Sequence, residues 1–232
     1  MINYINNQNN SPLDITDDEY DEIEKEGIQF NESKTSGYKN RTIINASADA
    51  TIAIATNFST AGERLTKSSV LNQNKKYIAL DGNNLKVTPE RVNKVVNELN
   101  DVQASSLNID GNGIYTISHN YTQQQLDSFV YELIKQITES PNLINKITSI
   151  RTGGQTGIDE AGAKAGLKLG IPTTVLAPKG WVFRDINGKD IADEVMFKQR
   201  FENQSSLDVT EEERDEIEKY GEETKIHCKG GK

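Results

Sequence analysis

The residues best suited to chemistry cluster in four short turns. The first is Thr-Gly-Gly-Gln-Thr-Gly at 152–157, followed by Asp159 and Glu160. Gly153 and Gly154 let the backbone approach a ligand closely. Thr156 is suited to cap a helix that starts near Ile158, with Asp159 returning the bond. The free N–H groups at such a helix start attract anions, and Thr152, Gln155 and Gly157 complete the turn. Asp159 and Glu160 would repel a phosphate unless they cap the helix or bind sugar hydroxyls. The run matches neither the P-loop nor the G-x-G-x-x-G fingerprint. The second turn is Ala-Pro-Lys-Gly at 177–180. There Lys179 offers a point charge beside Gly180, and Trp181 or Phe183 either stacks on a ring or fills a core. The third turn, Asn57–Glu63, presents Ser59, Thr60 and Gly62, with Glu63 as the capping-box partner of Thr60. The fourth, Asp-Gly-Asn-Gly at 110–113, supplies Gly111, Asn112 and Gly113. His119 stands alone and reads as an exposed loop residue.

These turns need elements to hold them. Apolar runs predict strands at Ala50–Ala55, 75–81, within 106–117, at 147–151 and at 173–176. Between them lie helical patterns. Thr60 opens one helix, and Thr88 with Pro89 opens another over 88–102. Thr122 and Gln125 form a capping box for a helix over 122–138, whose stripe is Leu126, Phe129, Val130, Leu133, Ile134 and Ile137. A last helix, about 158–169, is rich in small residues (Ala161, Gly162, Ala163, Ala165 and Gly166), which lets it lie close to a sheet. Strands alternating with helices predict an α/β fold: a Rossmann-like, doubly wound, mostly parallel sheet with helices on both faces. In such a sheet all four turns fall at the carboxyl edge, where ligands bind. Any tight strand-to-helix turn also welcomes glycine for its own sake.

The 232 residues carry a net charge of −9. Residues 11–27 and 205–223 each carry −7, which leaves the remainder at +5. A mildly basic middle argues against broad nucleic-acid binding but permits an anion pocket. "SPLDITDDEYDEIEKEG" at 11–27 and "SSLDVTEEERDEIEKYG" at 205–221 share 11 of 17 positions in register. Each predicts a short capped helix with an acidic first turn. The expected organisation is an acidic arm over 1–35, one domain over 36–204, and a second acidic arm over 205–232. The arms are candidates for a protein partner or self-association. A single cysteine, Cys228, excludes an intrachain disulfide framework. With only His227 beside it, no metal site is expected. No membrane span and no secretory pattern stand out, so a cytoplasmic location is the expectation.

The motifs resemble the SLOG superfamily, and more narrowly the YpsA-related families, including the circularly permuted one labelled as molybdenum-cofactor carriers. The resemblance rests on "GGQTGIDEAG" (153–162), "GIPTTVLAPKG" (170–180), "SGYKNRTIINASADATIAI" (36–54), "STAGERLT" (59–66) and "LNIDGNGI" (107–114). It covers roughly residues 36–204. In carrier-type relatives the GGQTG-like piece comes first; here it comes late, and the acidic linker is present at both ends. The resemblance therefore implies a circularly permuted Rossmann-like domain that binds a nucleotide or a nucleotide-derived ligand. It implies a pocket of Thr60, Gly62, Glu63, Gly111, Gly153, Gly154, Gln155, Thr156, Gly157, Asp159, Lys179 and Gly180. Some relatives cleave the N-glycosidic bond of nucleoside monophosphates with an acidic residue and an arginine. Glu63 with Arg64, or Glu160 with Arg151, are the nearest equivalents here. A binding or sensing module is the first reading, a nucleotide N-glycosidase the second, and an assembly protein the third.

Overall fold

A computed structural model describes residues 27–202. The acidic copies, apart from Gly27, and the His227–Cys228 pair lie outside the described residues. In chain order the elements are β1 (Ile28–Glu32), α1 (Lys39–Asn45), β2 (Ala50–Ala55), α2 (Ala61–Asn72), β3 (Lys76–Asp81), α3 (Pro89–Asp101), β4 (Ser106–Gly111) and the single-turn α4 (Ile114–Ile117). There follow α5 (Gln123–Thr138), β5 (Ser149–Thr152), α6 (Ile158–Lys168), β6 (Thr173–Ala177), the hairpin strands β7 (Val182–Arg184) and β8 (Asp190–Ala192), and α7 (Glu194–Glu202).

Local chemistry starts the helices where the sequence predicts. The Thr60 and Thr88 side chains accept from the N–H groups of Glu63 and Arg91, and Pro89 occupies the first turn. Thr122 and Gln125 form the full reciprocal box. Each cap is worth about 1 kcal/mol.

Six strands form one parallel sheet in the order β1-β6-β5-β4-β2-β3. Helices α3, α5 and α6 pack as one layer, and α1 and α2 touch each other on the opposite side. All six residues of β2 are buried, as a strand covered on both faces requires. The fold is thus an α/β, doubly wound, Rossmann-like sheet. Among the described residues, no helix is long and apolar enough to cross a membrane.

The two faces of the sheet differ in chemistry. One bears Ile52, Ile54, Leu107, Ile109 and Ile150, which join Val95, Leu99, Leu133 and Ile134 in the main core. On the other face, paired residues form a polar row: Tyr77, Thr51, Asn108, Arg151, Thr174 and Gln29. Asp110 follows two positions after Asn108 on the same face. A second, smaller core forms where Phe197 and Phe201 of α7 meet Val175 and Phe183.

Three features differ from expectation. Ile28–Glu32 belongs by sequence pattern to the acidic arm, yet it pairs with β6 as the outer strand. Its polar composition hides the strand. Residues 39–45 form helix α1, and 182–202 form the hairpin and α7; neither region carries a strong period. Arg200 explains how α7 docks. It lies 2.5 Å from Glu160, donates to the Gly154 carbonyl at 2.8 Å, and stacks over Phe183, Phe197 and Phe201.

Close contact of α6 with β4 relies on a missing side chain. A Cβ at Gly162 would lie 2.6 Å from Ile109, whereas one at Gly62 meets nothing within 4 Å. Gly162→Ala is expected to lower stability by about 1–3 kcal/mol in urea unfolding. Gly62→Ala should be neutral or slightly stabilising through helix propensity. Equal effects of the two substitutions would contradict this packing.

Candidate functional site

Strand order reverses between β2 and β4. From β2 the chain steps outward to β3; from β4 it steps the other way to β5. A crevice opens at the carboxyl ends of two such strands because their following connections diverge. Here it holds a cavity of about 380 Å³. That volume suits a small organic molecule.

The floor is built from four ionisable groups: Arg41, Glu63 and Asp159 are buried, and Asp110 is half-buried. Arg41 of α1 is 4% exposed; its Nη1 donates to the Gly153 carbonyl, and its guanidinium lies 4.9 Å from the Tyr38 ring centre. Asp110 ends the polar face of β4 and bonds the Thr66 side chain. Asp159, in the first turn of α6, accepts from the backbone N–H groups of Gln155 and Gly111. Glu63 projects inward from the first turn of α2. Its Oε1 accepts from Asn112 Nδ2 at 3.0 Å, while its buried Oε2 has no partner. Asn112 is itself locked, since its Oδ1 accepts from Thr56 N, Thr56 Oγ1 and Asn57 N at 2.9–3.1 Å.

Burial raises the pKa of all three carboxyls. For Glu63 burial is the main cause, with Asp110 and Asp159 adding to it, and the value is pushed up to about 8. For the adjacent pair, burial dominates again. Asp110 raises Asp159 further, and Arg41 opposes the rise at both. Burial likewise draws Arg41 below its usual value, with Asp159 and Asp110 pulling it back up. Glu63 therefore keeps at neutral pH a proton that an exposed carboxyl would release.

Of the residues predicted for the site, Thr60, Gly62, Glu63, Gly111, Asn112, Gly113, Gln155, Thr156 and Asp159 line this one cavity. Gly153 borders a neighbouring void of about 20 Å³ with Arg41, Asn108 and Asp110. The others lie elsewhere. Lys179 is exposed, and Gly180 donates to Glu32 at 2.5 Å, because the 177–180 turn leads away into the β7–β8 hairpin. Gly154 adopts φ +69° against Val175 and Phe197, and so serves the small core. Thr152 is fully buried and accepts from Gly154 N. Gly157, at φ +89°, starts α6 against the Asn112 carbonyl. Ser59 is exposed, and its carbonyl accepts from Arg64, which is also exposed.

Several expected roles change. Thr156 does not cap α6; its hydroxyl donates to the Arg184 carbonyl at 2.6 Å. Gln155 joins the same strand through Val182 O and Arg184 N. Glu63 does not close a capping box, because the Asn112 amide draws its side chain inward. Glu160 is consumed by Lys164 and Arg200 and lines neither void. Arg151 instead donates to Ser47. His119 is exposed, as expected. Arg41, Asp110, Tyr38, Tyr115 and Arg184 also line the cavity. Asp110 carries a legible signal: a carboxylate in phase with Asn108 within an apolar strand. Among the described residues, no group of three or more His, Cys, Asp or Glu is arranged to hold a metal ion.

No family model, curated protein or solved structure matches the chain.

Protonation of Glu63 ties stability to pH. Its folded pKa lies above the unfolded value of 4.5, so the folded state binds the extra proton. Stability should fall as pH rises from about 4.5 to about 8 and level off above that. Glu63→Gln should remove part of this loss, on the order of a few kcal/mol at pH 8. Urea midpoints at pH 5, 7 and 9 check it; a wild type that gains stability over that range contradicts it.

Proposed function

We propose that the protein binds a nucleotide-derived small ligand in the cavity between the carboxyl ends of β2 and β4. One observation carries the reading: side chains from three separate turns and from α1 converge on a single cavity at the strand-order reversal. The carboxyls of the floor suit sugar hydroxyls, and Tyr38 and Tyr115 at the half-exposed rim suit a planar ring. The resemblance to the SLOG superfamily supports the same reading. The order of its motifs and the repeated acidic segment support a circularly permuted domain.

Glu63 favours a second reading, an N-glycosidase. A carboxyl that keeps its proton to about pH 8 and has one oxygen free is suited to act as a general acid. It would deliver its proton to the departing base while water adds to the anomeric carbon, and the proton that water loses returns to the freed carboxylate. The base leaves as the neutral heterocycle, and the sugar gains a hydroxyl.

Calorimetry with adenosine, guanosine, cytidine, uridine and AMP tests the binding. At least one should bind with a micromolar Kd, and Thr116→Trp, which fills the cavity from an exposed wall position, should abolish that binding. Failure of all five to bind contradicts the reading. Release of free base by the wild type, lost in Glu63→Gln, would select the enzyme over the binder.

A further inference from the structure

The cavity offers no free positive charge to an anion. Its basic lining residues are Arg41 and Arg184. Asp190 holds Arg184 at two points, 2.7 and 3.0 Å away. Arg41 donates to the Gly153 carbonyl and faces Asp110 and Asp159. Lys179, the cation that the sequence offers for a phosphate, lines neither void. Against one buried guanidinium stand three carboxyls.

Glu63 is 3% exposed, and its Oε2 meets no donor. Once Glu63 loses its proton, near pH 8, that oxygen is a buried acceptor without a partner, and a ligand that supplies the donor recovers the cost. A phosphate would add negative charge beside three carboxyls whose burial and mutual repulsion already keep Glu63 protonated at neutral pH. A nitrogen cation would supply donors and relieve the repulsion at once.

We propose that the acidic floor formed by Glu63, Asp110 and Asp159 around Arg41 is a subsite for a positively charged nitrogen of the ligand: an amine, an amidine or a protonated ring nitrogen. The inference rests on the cavity being a ligand site. It does not require the rest of the ligand to be nucleotide-derived.

The groups that face Glu63 are Tyr77 of β3, Asp110 of β4, Asn112 after it and Asp159 of α6, with Arg41 of α1 facing the two aspartates. Only Arg41 among them is positive. An incoming cation must therefore displace the Glu63 proton, so its affinity rises with pH toward about 8.

Benzamidinium, benzamide and benzoate form a test series of one shape and three charges. Titration of the full chain by NMR or calorimetry should rank benzamidinium above benzamide by at least about tenfold at pH 8.5, with benzoate weakest, as expected for a charge-assisted hydrogen bond. Benzamidinium affinity should rise severalfold from pH 6.5 to 8.5, and Glu63→Gln should flatten that rise. The wild-type ranking stands without any variant. Equal binding of the three, a preference for benzoate, or no benzamidinium binding at millimolar concentration overturns the subsite. Nucleoside binding without a cation preference would leave the proposed function standing and remove only the subsite. Cation preference without nucleoside binding would do the reverse.

Discussion

Arg41 is the group on which the site depends. It is a buried guanidinium facing the carboxyls of Asp110 and Asp159, and it also donates to the Gly153 carbonyl and lies against the Tyr38 ring. Three elements that are far apart in sequence meet there: α1, the end of β4 and the start of α6. Without the cation, Asp110 and Asp159 would face each other in a medium that screens charge poorly. Removing one partner of such a buried cluster costs about 3–5 kcal/mol. The turn at 152–157 also takes its course from this contact, since a Cβ at Gly153 would lie 2.5 Å from the Arg41 Nη1 and 2.6 Å from Asp159 Oδ2.

Arg41 can occupy that place because the sheet has two unlike faces. The apolar face assembles the main core with α3, α5 and α6. The other carries Thr51, Asn108, Arg151 and Asp110 under α1 and α2, where apolar packing contributes less. Cohesion on that side comes from hydrogen bonds, such as Asn108 to Thr51, Arg151 to Ser47 and Asn112 to the loop after β2. The arrangement leaves polar groups half-used at the strand-order reversal. Glu63 Oε2 and Arg41 Nε are the clearest cases. Polar groups left without a protein partner beside a cavity are places where a ligand can add a hydrogen bond.

Much of the fold was legible because its signals are local. Periodicity and caps mark β2, α3, α5 and α6 to within a residue or two, and parallel pairing follows from the alternation. The edge strand β1 was not legible, since Ile-Gln-Phe-Asn-Glu has a weak pattern and its stability comes from pairing with β6. The site was half legible. Glycines and threonines at strand ends announced the edge, and nine of the named residues do share a cavity. Which way a turn leads was not visible. Lys179 departs with a hairpin that no local pattern predicts, and Thr156 spends its hydroxyl on that hairpin. The inward turn of Glu63 was hidden for a related reason: local spacing favours a capping box, and only the distant Asn112 amide outcompetes it.

The central claim is a location: ligand chemistry belongs to the carboxyl ends of β2 and β4. Backbone amide shifts recorded by NMR during titration with a nucleoside test it directly. The amides expected to shift are those of Thr60–Glu63, Gly111–Gly113 and Gln155–Thr156. Perturbations centred on the 177–180 turn, or on the opposite edge of the sheet near Asp49 and Ser105, would contradict it.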